Sequence, residues 1–146
     1  LFITTMRATS EQVENMHVQA RINDMMVDSD GPKDLGGSGK FVGPMPALLA
    51  SIANCMEITA LLYLSFSNVS VNSIRVEVEG KFDKRCALMD KRAPPPGFYD
   101  LAFTWHVDTE ENEKKVDRIL RKAEKICPVK GTFMGSHEFS RNVIFS

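Results

Sequence analysis

Residues 43–66 read GPMPALLASIANCMEITALLYLSF, a nearly continuous apolar stretch in the middle of the chain. Pro44 and Pro46 mark where a helix can begin, because proline is accepted in the first turn and disrupts later ones. The apolar residues that follow predict a helix over residues 46–66. Its length of about twenty residues nearly suits a membrane. Four polar side chains interrupt its middle: Ser51, Asn54, Glu57 and Thr59. Because such groups are costly in lipid, we expect a helix buried on most of its sides in a soluble fold, with no membrane partner.

Alternating residues before this helix predict a β-hairpin. In residues 16–22 apolar side chains occupy every second position, which is typical of a half-buried strand. Asn23 and Asp24 tolerate the backbone of a tight turn, and residues 25–27 are apolar again. Residues 30–43 carry five glycines and a proline, so we expect a loop there.

A second group of strands follows the helix. Apolar residues at every second position from Ile74 predict a strand, and the sequence APPPG at residues 93–97 interrupts it. The most regular alternation comes next, over residues 99–107. Its apolar face is predicted to consist of five residues: Tyr99, Leu101, Phe103, Trp105 and Val107.

An amphipathic helix is predicted after these strands. Asp108 and Glu111 have the spacing of a capping box, and Pro128 follows the last turn. Its predicted apolar stripe is Val116, Ile119, Leu120, Ala123 and Ile126. Acid-to-base pairs four residues apart predict a solvated opposite face: Glu110 with Lys114, Glu111 with Lys115, and Asp117 with Arg121. Strands, a long helix, strands, a second helix and final short strands make an α+β fold, predicted as a single domain over residues 1–146.

Composition excludes several classes of function. Of the 146 residues, 18 are Lys or Arg and 19 are Asp or Glu, a net charge of −1, so nothing in the charge favours nucleic acid as a partner. The three cysteines are too few for the disulfide framework of a small secreted domain, which favours a reducing, cytoplasmic setting. Residues 1–10 lack the basic start of a signal peptide.

Several short motifs occur in an order that resembles one known family. They are Gly36-Gly37, then Gly43-Pro44-Met45-Pro46, Leu48-Leu49, Cys55 and Ile58-Thr59, then IRVEVEGKF at residues 74–82, Pro96-Gly97-Phe98 and Cys127-Pro128-Val129. This ordered set runs from about residue 16 to residue 135. It is similar to the pattern of the OsmC/Ohr family, the osmotically induced and organic hydroperoxide resistance proteins.

The resemblance implies an OsmC-like fold and a chemistry. The fold would be an intertwined homodimer in which antiparallel sheets wrap around central helices, with active sites at the dimer interface. The chemistry would be that of a peroxidase in the oxidative stress response: a peroxidatic thiolate attacks an organic hydroperoxide, and a resolving cysteine condenses with the resulting sulfenic acid. Carried over by position, Cys55 is peroxidatic and Cys127 is resolving. An external dithiol or a lipoylated protein would then reduce the disulfide, so the resemblance implies no bound cofactor.

A cationic neighbour is needed to stabilise the Cys55 thiolate, because this residue lies beyond the first turn of its helix. The family uses an Arg held by a Glu that precedes the long helix. Met45 stands in the position of that Glu, and Arg21 or Arg7 is the candidate cation. Glu57 cannot replace the Glu within one subunit, because two residues of helix turn it about 200° from Cys55. We expect Glu57 to find a cationic partner or a contact across the dimer, or else to face a pocket.

Residues near Cys55 are the candidate substrate site. Ser51, Ile52, Ile58 and Thr59 share its helix face, and Met45 and Leu48 would add an apolar lining for an organic peroxide. From these we predict substrate-binding residues Met45, Leu48, Ser51, Ile52 and Thr59. His17, His106 and His137 lack the spacing of metal ligands, so no metal site is expected.

Two other functions remain open. With the Glu absent, the fold and apolar pocket could serve a binding module for an acyl chain or a thioester, with little peroxidase activity. Lys40 and the adjacent glycines would then suit an anionic head group. Alternatively, Cys55 is a redox sensor or a packing residue, and Cys86 is a packing residue or an exposed thiol.

Overall fold

The computed structural model describes residues 2–133 and 139–146, and the chain divides into two compact units, Leu1–Leu48 and Leu49–Ser146. His137 lies outside the described residues. The boundary falls inside the first long helix, so the family resemblance spans both units. The prediction of a single domain over residues 1–146 stays a prediction.

The first unit is a three-stranded antiparallel sheet. Its strands, in sheet order, are β1 (Thr9–Glu14), β2 (His17–Ile22) and β3 (Met25–Ser29). Asn23, with φ at 54°, forms the predicted turn between β2 and β3, so the hairpin is confirmed. We did not predict β1, because its residues do not alternate in hydropathy. All six of them are exposed.

The glycine-rich loop after β3 is confirmed, apart from one 3-10 turn at Lys33–Leu35. Asp30 organises this loop: its carboxylate accepts hydrogen bonds from both the backbone N–H and the hydroxyl of Ser38. These bonds outweigh the effect of burial and lower the pKa of Asp30. The charged carboxylate is therefore the form that stabilises the loop.

The long helix α1 (Pro44–Phe66) starts two residues earlier than predicted. One side of this helix is buried, and it consists of Ile52, Met56, Thr59, Ala60 and Leu64. The other side exposes large apolar residues: Ile58 is 67% exposed and Phe66 is 72% exposed, with Leu61 and Leu62 between them. The expectation that most sides of α1 are buried is therefore wrong for the single chain, which covers only one of its two apolar faces. By length and composition α1 could cross a membrane, a test that core helices of soluble proteins also pass.

The second unit contains a three-stranded sheet of β4 (Ser73–Phe82), β5 (Phe98–Asp108) and β6 (Phe139–Phe145), with β5 in the centre. β4 pairs with β5 in antiparallel orientation, whereas β6 runs parallel to β5. The expected antiparallel pairing is present between β1 and β2, β2 and β3, and β4 and β5, and the parallel pairing of β6 with β5 is an addition that the sequence did not indicate. The chain passes through two helices between β5 and β6, and such a crossover allows a parallel return.

The central strand departs from its predicted alternation at one point. Leu101, Phe103, Trp105 and Val107 are buried as predicted, but Tyr99 is 45% exposed. The register between β4 and β5 shifts between Glu79 and Lys81, and Asp100 has a φ of 51°. A one-residue irregularity reverses the sides of a strand, so Phe98 is buried in place of Tyr99.

The helix α2 (Glu113–Ile126) is capped by a residue that we did not predict. Asn112 is the N-cap, and its side chain accepts from the Lys115 N–H at 3.2 Å. The predicted capping box at Asp108 is wrong, because Asp108 is still in β5, opposite Ser73, where it accepts from the Asn72 side chain. A short helix, α3 (Pro128–Phe133), follows directly.

The buried stripe of α2 is confirmed at Val116, Ile119, Leu120 and Ala123, but Ile126 is 49% exposed. The ion pairs Glu111–Lys115, at 3.8 Å, and Asp117–Arg121, at 2.8 Å, are confirmed on its other side. Among the described residues, Glu110 and Lys114 form no such pair. Unexpectedly, Glu124 is only 8% exposed although it carries a carboxylate.

Glu124 is buried because it joins α2 to the sheet. Its carboxylate accepts from the Trp105 indole N–H at 3.0 Å and from the Arg141 guanidinium on β6. Arg141 also donates to Asp117 at 2.7 Å, and Asp117 accepts in addition from Arg121. Burial raises the pKa of Asp117, but the hydrogen bonds from Arg121 and Arg141 outweigh it, so this pKa lies below the ordinary value of 3.8.

Because the pKa of Asp117 is lower in the folded chain than in the unfolded chain, its stabilising effect is present above the unfolded pKa and is lost as the pH falls through the folded one. We expect Asp117→Asn to lower the free energy of unfolding by about 1 kcal/mol near neutral pH. The difference from the wild type should shrink towards zero at a pH well below the ordinary value of 3.8, as the pH falls through the lower folded pKa. Urea unfolding of both proteins at the two pH values measures it.

The matched control is Asp100→Asn. Asp100 pairs with Lys81 at 2.9 Å, but both side chains are more than 60% exposed, so little change is expected. An Asp117→Asn effect of equal size at both pH values would contradict the charge-based account.

Candidate functional site

The second unit brings two thiols together from elements that are distant in sequence. The hydrogen bond from Cys127 to Cys55 joins their sulfur atoms at 3.3 Å. Cys55 is half-buried midway along α1, whereas Cys127 caps the C-terminus of α2 and is only 1% exposed. Both are free thiols, and the third cysteine, Cys86, is half-buried in the 3-10 turn Lys84–Leu88. The sulfur atoms of a half-buried and a buried cysteine therefore lie side by side.

The surroundings of Cys127 keep this thiol protonated. Burial raises its pKa, and the neighbouring Cys55 sulfur adds to this rise. The backbone N–H groups of Lys130 and Val129 act in the opposite direction, and the Lys130 N–H lies 3.5 Å from the Cys127 sulfur. The net effect is a raised pKa, so near neutral pH Cys127 retains a proton that it can donate to the Cys55 sulfur.

The helix α1 places the predicted neighbours of Cys55 in different environments. Thr59 is buried, and its hydroxyl donates to the Cys55 carbonyl oxygen at 2.7 Å. Ile52 is 1% exposed and belongs to the core, while Ser51 is on the exposed side. Glu57 is half-buried and has no ion pair within the part of the chain that the structure describes. A substrate-binding role for Ser51, Ile52 or Thr59 stays a prediction.

The other predicted site residues belong to the first unit. Arg21 is exposed on β2, opposite Met26 and Thr9 in the sheet. Met45 and Leu48 lie half-buried in the first turns of α1. The roles of Arg21 as the activating cation and of Met45 and Leu48 as pocket residues stay predictions.

The first unit also contains a cavity of about 440 Å³, lined by Glu14, Asn15, His17, Asp30, Ser38, Lys40 and Phe41. His17 is half-buried beside this cavity. Its ring stacks on Phe41 with 4.3 Å between the ring centroids, and its Nε2 is hydrogen-bonded to the Asp28 carboxylate at 2.7 Å. In the second unit, the His106 Nε2 is hydrogen-bonded to the Glu77 carboxylate on the neighbouring strand at 3.2 Å. Over residues 2–133 and 139–146, no group of three potential metal ligands comes together.

Sequence reasoning did not identify Lys130. Its backbone N–H contacts the Cys127 sulfur, and its side chain is only 9% exposed, with the ammonium donating to the Glu124 carbonyl oxygen at 3.3 Å. The ammonium also lies 5.6 Å from the centroid of the Phe103 ring. The one available signal was its position three residues after a cysteine, which by itself does not predict burial.

The sulfur pair is suited to reversible oxidation. A disulfide bond is about 2.0 Å long, so the two sulfurs need to approach by a little more than 1 Å. Cys55 is the more exposed of the two residues, and the Cys127 sulfur is already in contact with the Cys55 sulfur. Thiol–disulfide chemistry is therefore the reaction that this arrangement can perform with the least movement of the backbone.

Comparison with known proteins agrees with this fold. A family model described as OsmC-like protein matches residues 37–140. A curated hydroperoxide reductase of Mycoplasma pneumoniae is 24% identical over 109 residues, which are 73% of this chain and 72% of that protein. The crystal structure of an OsmC-like protein from the same organism has a TM-score of 0.82 at 21% identity, with 97% of each chain covered.

A more distant structure has the same fold. The organic hydroperoxide resistance protein of Elizabethkingia anophelis has a TM-score of 0.74 at 15% identity, covering 99% of this chain and 98% of that one. The α+β architecture is therefore the OsmC-like fold, as the ordered motifs predicted. Since the family model covers well over half of the residues, this chain belongs to the OsmC-like protein family.

Proposed function

We propose that this protein reduces organic hydroperoxides, with Cys55 as the peroxidatic and Cys127 as the resolving thiol. The observation that carries the proposal is the 3.3 Å contact between the sulfur of the half-buried residue Cys55 and that of the buried residue Cys127. Membership of a family whose curated relatives include hydroperoxide reductases supports it. We further infer that residues 1–146 form one OsmC-like domain.

The reaction proceeds in two steps. The Cys55 thiolate attacks the terminal, hydrogen-bearing oxygen of the hydroperoxide, the O–O bond breaks, and the alkoxide takes a proton and leaves as an alcohol. Cys55 is then a sulfenic acid. The Cys127 sulfur attacks the sulfenic sulfur, the S–O bond breaks, and water leaves as the Cys55–Cys127 disulfide forms. An external dithiol or a lipoylated protein reduces this disulfide, so the cycle needs no bound cofactor.

The contact with Cys127 also helps Cys55 react. A thiol that donates a hydrogen bond to a neighbouring sulfur stabilises the anionic form of that sulfur. The raised pKa of Cys127 keeps it in this donating form. Met45 occupies the position of the family Glu, so the Cys55 thiolate lacks the stabilisation that this Glu provides through its Arg. We propose that the hydrogen bond from the Cys127 thiol supplies part of it. Arg21 remains the proposed cation, with Met45, Leu48, Ser51, Ile52 and Thr59 as the proposed substrate-binding residues.

The test is peroxide consumption with excess dithiol, using cumene hydroperoxide and hydrogen peroxide. We expect faster turnover of the organic peroxide by the wild type, and a fall to the rate of free dithiol in Cys55→Ser. Without dithiol, Cys127→Ser should consume one equivalent of peroxide and stop at the sulfenic acid, which a dimedone-type probe would label.

Cys86→Ser is the matched control and should keep wild-type turnover, because Cys86 lies in a different turn. Wild-type turnover no faster than free dithiol would contradict the proposal. That result would favour the binding module for an acyl or thioester ligand, and native mass spectrometry of the purified protein would then look for bound lipid.

We also propose that the protein is a homodimer, in a reducing cytoplasmic setting, and that the exposed apolar side of α1 is part of the interface. Ile58, Leu61, Leu62 and Phe66 lie on this side, all at least 45% exposed in the single chain. Isolated apolar residues are common on surfaces, but a continuous patch along one helix marks an association site. A second copy of α1 offers the same apolar surface in return, as two-fold symmetry requires.

A charge on this patch tests the dimer. We expect wild-type protein to sediment as a dimer and Ile58→Glu to shift towards the monomer, because an unpaired carboxylate in an apolar interface costs several kcal/mol. The matched control is Leu88→Glu, whose side chain is 62% exposed and lies in the 3-10 turn rather than on α1. A monomeric wild type, or a dimeric Ile58→Glu, would contradict the assignment of this interface.

A further inference from the structure

The disulfide that the proposed function produces would present two very different sulfurs to a reductant. Cys127 is 1% exposed and is a member of the core cluster that includes Trp105 and Phe103. Cys55 is packed against the edge of that cluster and is half-buried. In thiol–disulfide exchange the attacking sulfur approaches along the line of the S–S bond, from the side opposite the leaving sulfur. Cys127 is buried and Cys55 is the more exposed of the two residues, so an approach from the Cys55 side meets less of the core.

The sulfur of Cys127 is placed to carry negative charge when the S–S bond breaks. The Lys130 backbone N–H points to it across 3.5 Å. Burial raises the pKa of Cys127, and this N–H is the largest influence that lowers it. A hydrogen bond to a charged atom contributes more than one between neutral groups, so the contact strengthens as the thiolate forms.

The Lys130 side chain holds this N–H in position. Burying a lysine is costly unless its ammonium is paired. Here the ammonium donates to the Glu124 carbonyl oxygen at 3.3 Å and lies 5.6 Å from the Phe103 ring centroid. These contacts join α3 to the last turns of α2 and to β5. They therefore fix the backbone at residue 130 relative to the Cys127 sulfur.

We propose that the external dithiol attacks the Cys55 sulfur, that Cys127 leaves as the thiolate, and that Lys130 is the positioning residue that aims its own backbone N–H at this leaving group. This proposal rests on the proposed function for its disulfide. The dithiol sulfur bonds to Cys55, the Cys55–Cys127 bond breaks, and its electron pair stays on Cys127, which then takes a proton. The second thiol of the reductant closes its own disulfide and releases Cys55 as a thiolate.

The site of attack can be mapped directly. In a Cys86→Ser chain, diamide forms the Cys55–Cys127 disulfide without peroxide. A short exposure to glutathione, followed by N-ethylmaleimide, labels the attacked sulfur with glutathione and the leaving sulfur with maleimide. Peptide mass spectrometry should find glutathione on Cys55 and maleimide on Cys127, in excess over the reverse pattern by at least about tenfold.

Equal labelling, or glutathione mainly on Cys127, would overturn the proposal. Because diamide replaces peroxide, a chain without peroxidase activity still gives the expected pattern, so failure of the proposed function is seen separately. Absence of any Cys55–Cys127 disulfide after diamide would overturn both.

The role of Lys130 needs a measurement that packing alone would not change. In a chain with Cys55→Ser and Cys86→Ser, ultraviolet thiolate absorbance follows the titration of Cys127. In this chain Lys130→Met should move the titration to higher pH. In a chain that keeps Cys55 and Cys127, it should slow glutathione cleavage of their disulfide about tenfold, because the backbone N–H is no longer held at the Cys127 sulfur and its hydrogen bond to the leaving thiolate weakens. Lys130→Arg should restore most of both.

Thermal unfolding of each variant checks the fold, and Lys130→Gln replaces Lys130→Met if the latter does not fold. An unchanged titration together with an unchanged cleavage rate in a folded variant would overturn the role of Lys130. The labelling pattern would still report independently on the site of attack.

Discussion

The buried residue Glu124 is the point on which the placement of the candidate site depends. Its carboxylate binds the Trp105 indole on β5 and the Arg141 guanidinium on β6, and its carbonyl oxygen binds the Lys130 ammonium on α3. One residue of α2 therefore connects four elements of the second unit. A buried carboxylate without such partners would cost several kcal/mol, so these contacts are required together. Because Cys127 lies three residues further on, they also fix the buried sulfur of the pair.

The second sulfur is placed by packing rather than by polar contacts. Ile52 and Met56 are buried on either side of Cys55 along α1, and they seat this helix against the core. Cys55 lies at the edge of that buried side, where it contacts Cys127 and still reaches the surface. The difference in exposure between the two sulfurs thus follows from how two helices meet. In our account it decides both which thiol meets the peroxide and which sulfur the reductant attacks.

Local patterns in the sequence predicted most elements, because hydropathy period and turn residues act over a few neighbours. The strand β1 was missed because its exposed residues do not alternate in hydropathy, whereas several other failures result from interactions with residues far along the chain. Tyr99 is exposed because the pairing of β5 with β4 is irregular near it. Asp108 does not cap α2 because it lies in β5, paired with β4 and hydrogen-bonded to Asn72. Glu124 is buried with Arg141 as its partner, and no pattern near Glu124 in the sequence predicts this contact. The proximity of Cys55 and Cys127 was likewise implied by the family resemblance alone, and no spacing rule predicts a contact across 72 residues.

In the mechanism that we propose, peroxide converts the contact between the Cys55 and Cys127 sulfurs into a covalent bond. The most direct measurement is peptide mass spectrometry of the protein after one equivalent of cumene hydroperoxide, with no thiol present and with free thiols blocked at successive short times. We expect a Cys55–Cys127 disulfide, formed with loss of two hydrogen atoms, as the main product, with Cys86 remaining a free thiol. Persistence of Cys55 and Cys127 as free thiols, or a disulfide that joins Cys86 instead, would contradict it.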